Sequence, residues 1–321
     1  MREDRMRGSA STRASWFRRL YWWPAALLLP ACELQEVTLA EGEDIVVVEV
    51  VLRADEPVQL AYLHRTRGPD SATVPGAIIE VREAGSGSIL TFGPAAETQC
   101  LDFEDERPVK SLGTCYRSSA GGLAIRPGAT YVLRVQLPDG GVITGETTVP
   151  GAFQLGRPAS NPCRLNADTT LEFVWTRSDS AWAYLAETRL AGLRDALRRR
   201  NVQIGGSGPV RLVGLSVGRE DTTLVFPAEF GVFDRADPDL SDALVAIQRG
   251  LPPDVFGAIV VAAADRNYVN WVRGGNFNPS GQVRVASVRG DGTGVFGSLV
   301  PRTQNLTTSA TDTSPACTAA Q

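Results

Sequence analysis

The sequence IVVVEVVL at residues 45–52 decides the fold class, because it is a run of mostly β-branched residues without helical periodicity. Such side chains fit the pleated surface of a strand better than the crowded surface of a helix. Three further segments of this kind follow, each bounded by Gly, Pro or charged turn residues, at 58–63, 77–81 and 89–92. The sequence therefore predicts a mainly β protein.

A hairpin is predicted to close this first region. Residues 131–135 have the pattern of a strand, the sequence PDGG at 138–141 supplies a turn, and residues 142–149 return. Several short strands at such spacing are typical of a β-sandwich. We therefore expect an Ig-like or regulatory-like β-sandwich over residues 44–150, ending at Pro150.

A second β-rich domain with a few inserted short helices and a loose C-terminal tail is predicted over residues 151–321. Alternating or β-branched runs indicate strands at 171–175, 182–188, 210–217, 222–226, 257–263, 282–288 and 295–300. Helices are indicated at 191–200, at 237–250 and after Asp265. In the last of these, Tyr268, Trp271 and Val272 are expected on one face.

The first 31 residues have the features of a bacterial lipoprotein signal peptide. Arginines precede an apolar run from Leu20 to Pro30, which is too short to span a bilayer. Leu29 and Ala31 before Cys32 resemble a lipobox, at which the cysteine sulfur is diacylated and the leader is cut. We expect residues 1–31 to be removed, Cys32 to carry the lipid, including palmitate, and residues 32–43 to form a tether. An ordinary secretory signal with a chance cysteine, or an uncleaved anchor, are the alternatives.

The expected location is the cell envelope, with the lipid on Cys32 in the membrane and the folded body on the periplasmic or surface face of the outer membrane. Two acyl chains suffice for stable anchoring. With 321 residues, 43% of them hydrophobic, the chain can bury a sizeable core. Its net charge of -4 argues against a nucleic-acid partner, which would require a concentrated basic surface.

Export gives the remaining cysteines a role. Once Cys32 is lipidated, an even number is left for disulfides in an oxidising compartment, at Cys100, Cys115, Cys163 and Cys317. Cys100 with Cys115 is the local pairing, around an acidic loop, and the other two then pair by elimination. A metal site is the alternative, but the chain has no Cys-x-x-Cys spacing and a single histidine, His64. We predict no metal and no cofactor.

Other motifs have ordinary structural interpretations. The segment 292–297 matches the dinucleotide fingerprint G-x-G-x-x-G, but a strand-like sequence ending at Pro301 follows where a helix is needed, so a hairpin turn is predicted. Aspartates at 234, 237, 239 and 242 lack the mid-loop glycine and closing glutamate of a calcium loop. We predict no catalytic residues, since the single histidine and the missing Gly-x-Ser-x-Gly elbow give hydrolysis no support.

Aromatic residues are the binding candidates. Trp182, Tyr184 and Trp271 are candidates for a carbohydrate- or peptide-binding platform, while their strand and helix spacing also suits a core. Burial of the rings would indicate a core, and an exposed groove would indicate binding.

Several segments together resemble the bacterial lipoproteins called domain of unknown function 4249. The similarity rests on the lipobox and strand 45–52, then on 74–77, 127–133 and 147–150, and near the far end on 268–271, 278–279 and 290–297. The resemblance implies a membrane-anchored lipoprotein with a regulatory-like sandwich first, often associated with TonB-dependent outer-membrane receptors. It implies no catalytic residues.

These observations lead to one functional prediction. The chain is expected to be an exported lipoprotein, anchored through Cys32, with a non-catalytic binding or assembly role as an accessory to an outer-membrane transporter. The alternative is an exported hydrolase that acts on polysaccharide or peptide.

Overall fold

The structure, a computed structural model, describes residues 44–66, 72–101, 112–206, 208–216, 218–230, 239–273 and 285–317, without the side chains of 239–241. The predicted leader, the tether and Cys32 lie outside these residues. The described residues all belong to one compact unit. Strands dominate the described residues and the helices among them are short, which confirms the prediction of a mainly β fold.

The first part of the chain is built from strands, where the β-branched and alternating segments predict them. They are β1 (Val46–Arg53), β2 (Leu60–Arg65), β3 (Ile78–Glu83), β4 (Ile89–Ala95), β5 (Thr114–Ser118), β6 (Thr130–Gln136) and β7 (Val142–Thr148), with a 3-10 turn at Glu97–Gln99. In β6 the alternate residues Tyr131, Leu133 and Val135 are buried and those between them, Val132 and Arg134, are exposed, as alternation along a strand requires.

The second part adds strands and the three described helices. They are β8 (Leu155–Arg157), β9 (Cys163–Arg164), β10 (Leu171–Trp175), β11 (Ala183–Ala191), α1 (Leu193–Arg199), β12 (Val210–Leu215), β13 (Thr223–Phe226), α2 (Asp239–Ile247), β14 (Phe256–Ala264), α3 (Arg266–Arg273), β15 (Val288–Gly290) and β16 (Gly292–Thr307). The helix expected at 237–250 is thus described from Asp239, and its predicted cap, Asp237, lies outside the described residues.

One large mixed sheet contains most of these strands, in the order β12-β11-β14-β16-β1-β2-β5-β4-β3-β6-β7-β15, with β9 paired to β16. A smaller sheet has the order β13-β10-β8. The large sheet therefore runs across Pro150, the predicted boundary between residues 44–150 and 151–321. The two-domain division itself stays a prediction.

Strand β16 joins the two parts of the sheet. Its first half, Gly292 to Leu299, pairs in parallel with β1, and its second half, Leu299 to Thr307, pairs antiparallel with β14. Most residues of both partners are β-branched or small, and most of β16 is buried. A strand covered on both faces is expected to be apolar throughout, as this one is over Val295–Val300 apart from Ser298 and Gly297.

The glycines of the G-x-G-x-x-G segment allow close packing of β16. A Cβ on Gly294, which has a φ of +129°, would lie 2.0 Å from the Val48 carbonyl oxygen of β1, and one on Gly297 would lie 2.8 Å from the Tyr268 Cβ of α3. Residues with a side chain are excluded by such contacts. The hairpin turn predicted at this segment is wrong, because residues 292–297 lie within strand β16, which begins at Gly292.

The sheet folds back on itself beyond β7. The Ser287 N–H before β15 donates to the Gly294 carbonyl of β16, and the Val142 N–H of β7 donates to the Asp291 carboxylate at 2.8 Å. Phe296 of β16 packs against Gly145 of β7. Most buried apolar side chains of both parts of the chain form one continuous cluster, and a smaller cluster packs around Val269.

Both predicted disulfides are present. Cys100 and Cys115 are joined across 15 residues, and Cys163 and Cys317 across 154. The second bond fastens the C-terminal segment, whose Cys317 N–H also donates to the Arg164 carbonyl. The predicted pairing is confirmed, and the metal-site alternative for these cysteines is wrong because their sulfurs are bonded to one another.

Candidate functional site

Helix α3 forms one wall of the candidate site, and Asp265 holds its start. The Asp265 Oδ1 accepts the Tyr268 N–H at 2.9 Å, which is the hydrogen bond of an N-cap. The Asp265 Oδ2 accepts the Thr147 hydroxyl at 2.6 Å, and that hydroxyl lies 2.9 Å from the Ser298 hydroxyl. The cap therefore ties α3 to both β7 and β16.

Asp265 is almost fully buried, and this changes its acidity. Burial raises the pKa of its carboxyl above the usual range, against the opposing effect of the hydrogen bonds from Thr147 and from backbone N–H groups. A buried carboxylate is tolerated because these donors replace its hydration. Its partners are held within the fold, so we assign Asp265 a structural role.

Asn267 fixes the helix against the strands a second time. Its Nδ2 donates to the Glu146 carbonyl at 2.8 Å and to the Phe296 carbonyl at 2.9 Å. Val269, in the next turn, is fully buried against small residues of β11 and β14 such as Ala183. Burial also raises the pKa of the Tyr268 hydroxyl to about 12. One face of α3 is therefore committed to packing, and the opposite face remains available.

A cleft of about 670 Å³ lies between that available face and the outer face of β6, β7 and β15. A volume of this size is typical of small-molecule sites. Its described lining is Val132, Thr144, Gly145, Glu146, Arg266, Asn267, Asn270, Val285, Ala286, Ser287, Val288 and Arg289. Most of these side chains are polar, and both signs of charge are represented.

Strand register orders the polar groups along the cleft. Arg289 of β15 lies opposite Thr144 of β7, and Glu146, two residues further along β7, lies opposite Val132 of β6. Successive residues on one face of a strand are about 7 Å apart. Arg289 and Glu146 therefore occupy separate positions along the floor, with Asn270 on the helical wall.

The charged groups of the cleft have no ion-pair partner within the part of the chain that the structure describes. Arg266 contacts the Trp182 ring instead, with its guanidinium carbon 5.3 Å from the ring centroid. No described carboxylate forms an ion pair with Arg266 or Arg289, and no described cation pairs with Glu146. Such groups are available to a ligand.

The three aromatic binding candidates lie in different environments. Trp182 is 40% exposed, beside Arg266, and Trp271 is partly buried on α3. Tyr184 is 1% exposed, its ring contacts those of Phe153 and Trp175, and its hydroxyl accepts the Ser178 N–H at 2.7 Å. Tyr184 therefore belongs to the core, as its alternation along β11 also allows, and Trp182 contacts Arg266, a residue of the cleft lining.

The remaining sequence motifs contribute nothing to this cleft. His64 lies on β2 beside Tyr62, with no nucleophile paired to it by a described contact. Asp239 and Asp242 fall in α2, whereas Asp234 and Asp237 lie outside the described residues. The described residues contain no cluster of three or more His, Cys, Asp or Glu placed to hold a metal ion. Among the same residues, no helix has the length and hydropathy needed to cross a bilayer.

Sequence reasoning missed the cleft. One signal for its helical wall exists, because Arg266, Asn267 and Asn270 recur at helical spacing opposite the packed residues of α3. No such signal exists for its floor, since Thr144 and Arg289 are brought together only by pairing between strands far apart in the chain.

Comparisons with known proteins add little. No family model matches the chain, and no curated protein matches it. Among solved structures, the chain is similar to a DUF4785 family protein from Legionella pneumophila, with 11% identity and a TM-score of 0.20, over 67% of this chain and 51% of that chain. The chain thus spans about half the length of that protein, and we base no conclusion on a likeness at this level.

Proposed function

We propose that this chain is an exported lipoprotein, tethered to the cell envelope through Cys32, that binds a ligand or partner rather than catalysing a reaction. The observation that carries the proposal is the pair of disulfides, Cys100–Cys115 and Cys163–Cys317. Disulfides form and persist in oxidising compartments outside the cytoplasm. Every cysteine except the one in the lipobox is therefore used as an exported protein would use it.

The lipobox supplies the anchor in this proposal. Acyl chains on Cys32 would hold the chain at the membrane, at about 0.8 kcal/mol for each buried methylene. The first strand begins at Val46. The residues from Cys32 to the first strand can extend over at most about 50 Å, so the folded body can lie clear of the lipid headgroups.

A binding role is supported by the cleft beside α3. Its charged residues, Arg266, Arg289 and Glu146, form no ion pair with another described residue, and they border a volume that suits a small ligand or a segment of a larger one. The rigid support of α3 by Asp265 and Asn267 favours a preformed site. An outer-membrane, TonB-dependent transporter is the partner we propose, from the resemblance to the domain of unknown function 4249 lipoproteins.

Affinity purification of the native protein from detergent-solubilised membranes tests this proposal. We expect the chain in the membrane fraction, with a transporter recovered at a stoichiometric ratio and identified by mass spectrometry. The Cys32→Ser variant is the matched control and should be recovered from the soluble fraction. Recovery of the chain alone, with hydrolytic activity on polysaccharide or peptide in the same fraction, would support the exported hydrolase instead.

A further inference from the structure

The cleft beside α3 presents two guanidinium groups that no described acidic group neutralises. Arg289 projects from β15 on the same face as Thr144, and Arg266 begins α3. Arginine is suited to recognising planar anions, because its N–H groups can donate two parallel hydrogen bonds to one carboxylate. The two arginines therefore favour a ligand with a carboxylate.

Trp182 supports the guanidinium of Arg266. The guanidinium carbon lies 5.3 Å from the centroid of the indole ring, which is within the range of a cation–π contact. Such a contact restricts the side chain without using its hydrogen-bond donors at the edge of the plane. Arg266 can therefore bind an anion while it remains stacked on Trp182.

The other polar groups of the cleft suit hydroxyl groups. Glu146 accepts hydrogen bonds, the Asn270 amide both donates and accepts, and Thr144 contributes a hydroxyl. A hydroxyl group on a ligand needs both kinds of partner, since it donates one hydrogen bond and accepts others. Val132 and Val285 add exposed apolar surface that can cover the carbon atoms of a ring.

We infer that this cleft binds a polyhydroxylated carboxylic acid of the uronic-acid sugar class, with the carboxylate on Arg266 and Arg289 and the hydroxyls on Glu146, Asn270 and Thr144. The inference rests on the binding role proposed above and names the ligand class for that role. A neutral sugar would leave the two guanidinium groups without an anion, and a carboxylate without hydroxyls would leave Glu146, Asn270 and Thr144 without hydrogen-bond partners.

Calorimetric titration of the purified full chain tests the inference. The probes are the trisaccharides of galacturonate, glucuronate and mannuronate, with maltotriose as the neutral sugar and glutarate as the carboxylate without hydroxyls. We expect at least one uronate to bind, and both control compounds to bind about tenfold more weakly or not at all. No binding of any uronate at millimolar concentration, or equal binding of maltotriose, would overturn the inference.

Substitutions in and near the cleft test whether the uronate binds there. Arg289→Gln should weaken uronate binding about tenfold, because it removes a charged hydrogen-bond donor. Asn270→Ala should weaken it less. Arg134→Gln is the matched control, since Arg134 lies opposite Thr144 on the exposed face of β6 but outside the cleft lining, and it should leave binding unchanged. Equal loss in Arg134→Gln and Arg289→Gln would show general attraction to a basic surface and would overturn the site.

The two proposals can fail separately. Uronate binding by a chain that carries no lipid on Cys32 would leave the cleft inference standing and contradict the proposed anchor. Absence of uronate binding in a chain that is lipidated and associated with a transporter would contradict the ligand class alone.

Discussion

Removal of each disulfide should destabilise the fold by an amount set by the loop that it closes. Cys100–Cys115 spans 15 residues, and Cys163–Cys317 spans 154. In the chain-entropy model, a cross-link removes more conformational freedom from the unfolded chain when its loop is longer. That model gives about 3 kcal/mol for the short loop and about 5 kcal/mol for the long one.

Contacts around each disulfide indicate how closely the measured losses of stability should match these values. The Gln304 Nε2 donates to the Cys163 Sγ at 3.4 Å, but it also donates to the Ser160 carbonyl at 2.8 Å, so an alanine at 163 leaves this amide satisfied. Near the other bond, the Glu97 Oε1 accepts the Leu112 N–H at 2.8 Å and holds the end of the loop independently of the sulfurs. The end of the loop therefore stays in place in the folded variant, and the loss of stability should arise in the unfolded chain, as the model assumes.

The assay is urea unfolding of two double variants, Cys100→Ala with Cys115→Ala and Cys163→Ala with Cys317→Ala, followed by fluorescence of the tryptophans. The free energy of unfolding should fall by about 3 kcal/mol in the first and by about 5 kcal/mol in the second. A chain without the second bond could then unfold at physiological temperature. An equal loss in both variants, or a larger loss from the short loop, would refute the loop-entropy reasoning.

Three further predictions concern α3 and the aromatic residues. Asp265→Ala should lower the free energy of unfolding by about 2–4 kcal/mol in the same urea assay, because it removes a helix cap and the acceptor of the buried Thr147 hydroxyl. As the control, Asp242→Ala removes an exposed carboxylate and should change the free energy of unfolding by less than about 0.5 kcal/mol. Similar losses in the two variants would contradict the role of the cap. Because burial raises the pKa of Asp265, the folded chain binds the carboxyl proton more tightly than the unfolded chain does. The contribution of this group to stability should therefore be greatest at low pH and fall as the pH rises above the usual aspartate pKa. Unfolding of the wild type and of Asp265→Asn across pH 3–7 measures this contribution, and a stability difference that grows with pH in favour of the wild type would contradict the predicted sign. In thermal unfolding, Tyr184→Ala should lower stability by about 3–5 kcal/mol and Trp182→Ala by about 1 kcal/mol or less, because the Tyr184 ring is in the core and the Trp182 ring is partly exposed. A larger loss from Trp182→Ala would show that the two environments are wrongly assigned.

The strands of this fold could be predicted from local sequence, whereas their partners could not. The run at 45–52 predicts the strand observed at Val46–Arg53, because β-branched residues carry their preference locally. Nothing in that run indicates its parallel pairing with Gly292 to Leu299, more than 200 residues away. Periodicity shows which face of a strand is buried, but it carries no information about the neighbouring strand.

The glycines at 292, 294 and 297 show the same limit. Their spacing matches a nucleotide-binding loop, and only the absence of a following helix speaks against that function. The structure gives their physical reason, which is contact with the backbone of β1 and with Tyr268 of α3. Close approach between distant segments requires glycine at the contact, but the glycine does not indicate which segment approaches it.

The aromatic residues and the cleft could likewise be predicted only in part from the sequence. Burial separates Tyr184 from Trp182 although residues two apart on one strand would share a face, because Trp182 lies before β11 begins at Ala183. The polar face of α3 is visible in the sequence through Arg266 and Asn270. The opposite wall requires the pairing of β7 with β15, so the cleft appears only once the sheet is formed.

Mass spectrometry of the mature chain, purified from the membranes of a bacterium with a lipoprotein pathway, tests the central claim most directly. The account predicts that residues 1–31 are absent and that the first residue is Cys32 with a diacylglycerol on its sulfur, while Cys100, Cys115, Cys163 and Cys317 are all in disulfides. An unmodified Cys32, whether the leader is retained or cleaved elsewhere, together with free thiols at the other four positions, would contradict an exported and lipid-anchored protein.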